Sequence, residues 1–92
     1  MRAVLTYKIM EDGTPKEETR LFDTKKSTRV CDVTNAYGTI MYEIYISQKG
    51  VLFKNYVAEE KLEVPDQKEC KEWIGIHEPD KYIEFFGKPE EA

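Results

Sequence analysis

Ala3, Leu5, Tyr7 and Ile9 alternate with Thr6 and Lys8, a period of two that predicts a half-buried first strand. Asp12-Gly13 and Pro15 supply turn chemistry, and the polar run Lys16-Glu17-Glu18 reads as an exposed loop. A short second strand, Thr19-Arg20-Leu21-Phe22-Asp23, follows and pairs antiparallel with the first. Thr24-Lys25-Lys26-Ser27 predicts a tight polar turn or one helical turn capped by Thr24. The β-branched density of Thr28-Arg29-Val30-Cys31-Asp32-Val33 predicts a strand, with a short helix as the alternative, and Thr34 to Gly38 reads as a loop.

The clearest pattern runs from Ile40 to Val57. Large apolar side chains fall on both faces of a hairpin, so the sheet needs a cover on each side. Ser47-Gln48-Lys49-Gly50 predicts a four-residue loop built on a type I turn with Gly50 left-handed. That loop sets Ile46 opposite Val51, Ile44 opposite Phe53, Ile40 opposite Val57 and Glu43 opposite Lys54. One face then carries Ile40, Tyr42, Ile44, Ile46, Val51, Phe53 and Val57; the other carries Met41, Tyr45, Leu52 and Tyr56.

Glu59 to Val64 is a charged connector able to extend the strand through Leu62 and Val64. Pro65 ends it, and Asp66 with Glu69 three positions on forms a capping pattern that opens a helix. Cys70, Trp73, Ile74 and His77 make its apolar stripe, and Gly75 or Glu78-Pro79 ends it. Pro79 opens a second helix with Tyr82, Ile83 and Phe86 on one face, Phe85 beside them and Gly87 as C-terminal cap. The expected fold is α+β: an antiparallel β-meander of about five strands followed by two short C-terminal helices packed on one face, as a single domain over residues 1–92.

At 92 residues, with 40% hydrophobic and 35% charged positions, the chain has material for one modest core. Its apolar runs fall far short of the roughly 20 residues a membrane span requires. Met1 to Leu5 begins like a signal peptide, but Thr6, Lys8 and Glu11 interrupt it, which points to a cytoplasmic protein. The net charge of −4 is uneven, with nine Lys/Arg against seven Asp/Glu in residues 1–57 and five against eleven in residues 58–92. An acidic C-terminal third repels phosphate backbones, so nucleic acid is a disfavoured partner. Cys31 and Cys70 stand 39 positions apart with one histidine, His77, too few ligands for a metal centre. Two buried free thiols are expected, and no cofactor.

The ordered motifs Phe22-Asp23-Thr24-Lys25-Lys26, Tyr42-Glu43 with Tyr45, Lys49-Gly50 followed by Phe53, Pro65 leading to Lys71-Glu72-Trp73, Asp80-Lys81-Tyr82 and Phe85-Phe86-Gly87 span roughly residues 21–91. In that order they resemble a group of small uncharacterised proteins encoded by bacterial plasmids, phages and integrated mobile elements. Arg2 to Glu18 has no counterpart in that pattern, and Cys70 stands where a small residue such as alanine is usual. The resemblance implies a gene carried by mobile DNA, a setting rich in small inhibitors of host machinery. It transfers no activity and no site residues.

Candidate chemistry is sparse. His77 is the only general base near neutral pH, with Glu78 and Asp80 beside it, and its plainer role is to close a helix C-terminus. No serine or cysteine has a nucleophile context, so the expectation is a chain that is not an enzyme. Met41, Tyr45, Leu52 and Tyr56 are the sharpest partner-binding set, either covered by residues 11–27 or open to another protein or to a second copy in a homodimer. Glu59, Glu60 and Glu63 add carboxylates for a basic partner. The alternative function is nucleic-acid binding through Lys25, Lys26 and Arg29. The leading expectation is a non-catalytic protein-binding module, an accessory or anti-defence factor of a mobile element.

Overall fold

The computed structural model describes all 92 residues. Strands β1 (Arg2–Glu11) and β2 (Thr14–Asp23) pair antiparallel over their whole length, from Arg2 opposite Asp23 to Glu11 opposite Thr14. The connection is only Asp12-Gly13, both at positive φ (52° and 76°), which is the primed turn whose twist suits a two-residue hairpin. A turn this tight brings Thr14 into register with Glu11 at once. The run Lys16-Glu17-Glu18, expected as a loop, is therefore strand. The 2.9 Å Thr6–Thr19 hydroxyl contact holds the pairing on its outer face, where Lys8 also lies opposite Glu17.

Asp23 then caps a 3-10 turn, Thr24–Lys26, by accepting from the Lys25 N–H at 2.9 Å. Thr24, the expected cap, instead accepts from the N-terminal ammonium at 2.8 Å. Four strands follow in sequence order as an antiparallel meander: β3 (Thr28–Thr34), β4 (Ile40–Ile46), β5 (Leu52–Tyr56) and β6 (Lys61–Glu63). A second 3-10 turn, Val57–Glu59, separates β5 from β6, with Glu60 left-handed at its end. The chain closes with α1 (Gln67–His77) and α2 (Pro79–Phe86). The fold is α+β with two C-terminal helices on one face, and its six strands fall into two sheets rather than one.

The β4–β5 register differs from the expectation by one residue. Tyr45 lies opposite Phe53 and Ile46 opposite Leu52. The Gly50 N–H donates to the Ser47 carbonyl at 2.9 Å, closing the type I turn, and Gly50 is left-handed at φ 85°. Ser47 itself remains paired, its N–H reaching the Val51 carbonyl at 2.9 Å, so the loop proper is Gln48-Lys49-Gly50. A three-residue loop with left-handed glycine forms a bulge, and relative to a four-residue loop it turns every β5 side chain to the other face.

Leu52 thus joins Ile44 on the helix side, and Phe53 joins Tyr45 on the opposite side. Lys54 faces Ile44 and lies 4.5 Å from the Tyr42 ring centroid, while Glu43 meets Asn55 in place of the expected Lys54. Val57 is not opposite Ile40, because β5 ends at Tyr56.

Both faces of the meander are covered by the chain itself. Against the helices, Val30, Ile44, Leu52, Cys70 and Ile74 form one buried cluster. A bulge in β3 between Arg29 and Cys31 lets Val30 and Cys31 both contribute to that side. Against the β1–β2 hairpin, Tyr7, Phe22, Phe53 and Leu62 form a second cluster, with Phe53 5.0 Å from Phe22. Complete burial of Phe53 and Ile74 contributes roughly 2–3 kcal/mol each.

Asp66 caps α1 by accepting from the Glu69 N–H at 2.9 Å. Gly75 lies inside α1 and does not end it: a Cβ there would stand 3.2 Å from the Tyr82 ring, so its absence lets α2 close onto α1. Tyr82, Phe85 and Phe86 pack toward the core, whereas Ile83, expected on that face, is exposed.

Candidate functional site

The four hairpin residues expected to share one face, either covered by residues 11–27 or open to a partner, are separated. Leu52 is only 2% exposed and belongs to the helix-side cluster. Tyr45 stacks on Phe53 at 5.5 Å against the other cluster. Tyr56 packs on Tyr42 at 5.1 Å, with the Lys61 ammonium 5.8 Å from its ring. Met41 alone remains open. The register is the cause: once β5 is turned over, its alternate residues no longer sit beside Met41 and Tyr45.

Around Tyr45 the sheet carries a polar cluster instead. The Glu43 carboxylate, almost buried, accepts from the Asn55 amide at 2.9 Å and the Tyr45 hydroxyl at 3.3 Å, and pairs with Arg29 at 3.0 Å. Arg29 also pairs with Asp32. Burial and the Glu43 charge push the Tyr45 phenol pKa up, and the Asp32 contact raises that of the Arg29 guanidinium. A guanidinium held by two carboxylates is not free for phosphate. Of the three residues of the expected nucleic-acid set, Lys25 and Lys26 are exposed on the 3-10 turn and Arg29 is occupied.

Exposed apolar residues do occur at the end of the meander that carries the β3–β4 loop and the turn after β5. The loop is closed by the Asn35 N–H donating to the Thr39 carbonyl at 2.9 Å, and the Asn35 side chain accepts from the Tyr37 and Thr39 N–H groups. This fixes the loop and lifts Tyr37, 93% exposed, at its tip. Ile40 and Met41 open β4 at 43% and 52% exposure, and Val57, at 53%, starts the 3-10 turn packed beside β4. Glu59 and Glu60 follow directly and are exposed without ion-pair partners. Glu63 pairs with Lys61 at 3.6 Å and takes no part.

Met41, Glu59 and Glu60 thus lie at the same end of the meander as three exposed residues not expected there, Tyr37, Ile40 and Val57, with Ile40 and Met41 on opposite faces of β4. Only Tyr37 left a signal in the sequence, as an aromatic in an Asn-Ala-Tyr-Gly turn; Ile40 and Val57 read as ordinary strand residues.

No group of three or more His, Cys, Asp or Glu side chains is placed to hold a metal ion. His77 stacks on Trp73 at 4.5 Å in the last turn of α1. Of the two thiols expected to be buried, Cys70 is buried in the helix-side core and Cys31 is half-buried against its margin; both are free, and burial pushes both pKa values up, that of Cys31 to about 11. Thiols held in this state are poor nucleophiles. No helix is long and apolar enough to cross a membrane. Comparison with known proteins finds no family model, no curated protein and no solved structure that matches this chain.

Proposed function

We propose that this chain is a non-catalytic binding module that docks a protein partner on the end of the meander formed by Tyr37, Ile40, Met41 and Val57. The observation that carries this reading is the exposure of four large apolar side chains at one end of the meander, Tyr37 on a loop fixed by the Asn35 side chain, Ile40 and Met41 at the start of β4 and Val57 on the 3-10 turn after β5, with Glu59 and Glu60 exposed just after Val57. Aromatic and aliphatic anchors rimmed by charge are the composition of interface centres. Two unpaired carboxylates select a partner whose rim is basic. The resemblance of the ordered motifs to mobile-element proteins supports reading that partner as a host protein, with the chain acting as an accessory or anti-defence inhibitor by occupying it.

The test is affinity capture from a bacterial lysate with the intact chain and with a Tyr37→Ser, Met41→Ser, Val57→Ser triple variant, read by mass spectrometry. A partner held by the first and released by the second, and weakened further by Glu59→Lys with Glu60→Lys, supports the reading. A partner held equally by both removes this surface as the docking site. All three positions are solvent-exposed, so the triple variant is expected to keep the wild-type unfolding temperature within a few degrees.

A further inference from the structure

At the opposite end of β4 from Tyr37, the two sheets do not close completely. Between the inner face of β2, the Thr24–Lys26 turn and the β4–β5 loop lies a cleft of about 470 Å³, within the range of small-molecule sites. Tyr7, Ile9, Phe22 and Val51 give it an apolar floor. These side chains are anchored in the second core cluster or packed against it, so the floor is preformed.

The charges around the cleft sort into satisfied and unsatisfied groups. Glu18 is held inside by Arg20 at 3.1 Å and by the Tyr7 hydroxyl at 3.1 Å. Asp23 accepts from the Lys25 N–H and faces Arg2. Lys26 and Lys49, one on each wall, have no carboxylate partner. The Ser47 hydroxyl accepts from the Val51 N–H and keeps its own proton available. In a chain of net charge −4, an apolar cleft whose only unpaired charges are two ammonium groups is complementary to one kind of small molecule.

We infer that this cleft binds an amphipathic carboxylate, with its hydrocarbon on Tyr7, Ile9, Phe22 and Val51 and its carboxylate between Lys26 and Lys49. The cleft is separate from the docking end, so the two assignments stand or fall independently.

The probe is sodium octanoate, titrated by calorimetry and by amide chemical shifts, beside octylamine hydrochloride and 1-octanol. Octanoate is expected to saturate one site, shifting amides around Phe22, Lys26 and Lys49, and octylamine is expected not to bind. A Lys26→Gln, Lys49→Gln double variant, both substitutions on exposed side chains, is expected to lose octanoate affinity at least tenfold while keeping that for octanol, since charge-assisted contacts are lost and the floor is not. Three results overturn the assignment: no saturable octanoate binding, octylamine binding as well as octanoate, or a double variant that binds octanoate like the intact chain.

Discussion

The side-chain amide of Gln67 closes on the backbone of Leu52 from both sides, accepting from its N–H at 2.7 Å and donating to its carbonyl at 2.8 Å. β6 pairs with β5 only from Lys54 to Tyr56, so at Leu52 the edge of β5 has no neighbouring strand. Gln67 supplies the two bonds a strand would have made, and a third to the Pro65 carbonyl fixes the start of α1. Replacing Gln67 by Ala leaves a half-buried backbone donor and acceptor unpaired, a cost of about 1–3 kcal/mol. The expected fall in unfolding temperature is roughly 4–8 °C per kcal/mol for a chain of this size. Thermal denaturation followed by circular dichroism measures it, and an unchanged midpoint would mean that water replaces both bonds at no cost.

That contact also marks where reading the sequence succeeds and fails. Local chemistry was legible: alternation located β1, Asp66 with Glu69 located the start of α1, and Gly50 located a turn. What depended on counting across a turn was not. Asp12-Gly13 reads equally well as the start of a longer loop or as a complete two-residue hairpin. Ser47-Gln48-Lys49-Gly50 fits loops of three or four residues with the same turn type.

One residue of difference sent Leu52 into the core and dissolved the set Met41, Tyr45, Leu52 and Tyr56. The open end at Tyr37, Ile40 and Val57 depends on where β5 stops, which no residue near Val57 announces. The cleft arises where two sheets fail to meet, a long-range relation with no local signature.

Glu43 is the acceptor on which Arg29, Tyr45 and Asn55 converge. Glu43→Ala leaves the buried Asn55 amide without an acceptor, and leaves Arg29 with Asp32 alone. Losing the shared partner of such a cluster is expected to destabilise the fold by about 3 kcal/mol. Glu43→Gln keeps one acceptor oxygen and is expected to cost less than half as much. Urea denaturation of both variants checks the order, and equal losses would show that the charge, not the hydrogen bonding, holds the cluster.

The thiols predict an alkaline limit to stability. The native state holds the Cys31 proton more tightly than the unfolded chain, with the pKa rising from 9.0 to about 11. This contribution is therefore whole below pH 9 and is lost as pH climbs through about 11. The raised pKa values of Tyr7 and Tyr45 add to the same loss above pH 10. Unfolding temperature is expected to fall between pH 9 and 11, and a Cys31→Ala variant is expected to show a shallower fall. For the same reason iodoacetamide at neutral pH should label Cys31 and Cys70 slowly in the native chain and at least a hundredfold faster in urea. Fast native labelling of Cys70, whose thiol is the buried one, would place it outside the core.

The left-handed turn at Gly50 and the register of the central hairpin are tested by different measurements. No atom lies within 4 Å of the position a Cβ would take, so a substitution there meets no steric neighbour and acts through the backbone alone. At φ 85° an L side chain costs about 1–2 kcal/mol, and asparagine, which visits this region more readily, costs less. Gly50→Ala is expected to lower stability by about 1 kcal/mol and Gly50→Asn by about half of that, measured by urea denaturation. The four-residue loop expected from the sequence also places Gly50 left-handed, so stability alone does not separate the registers. Cross-strand nuclear Overhauser contacts do: Ile46 with Leu52 and Ile44 with Lys54 are the non-hydrogen-bonded pairs, so their α-protons should meet across the ladder, whereas the four-residue loop sets Ile46 opposite Val51 and Ile44 opposite Phe53. If Ile44 faced Phe53 instead, Leu52 would turn away from Ile74 and the two core clusters would exchange their β5 members.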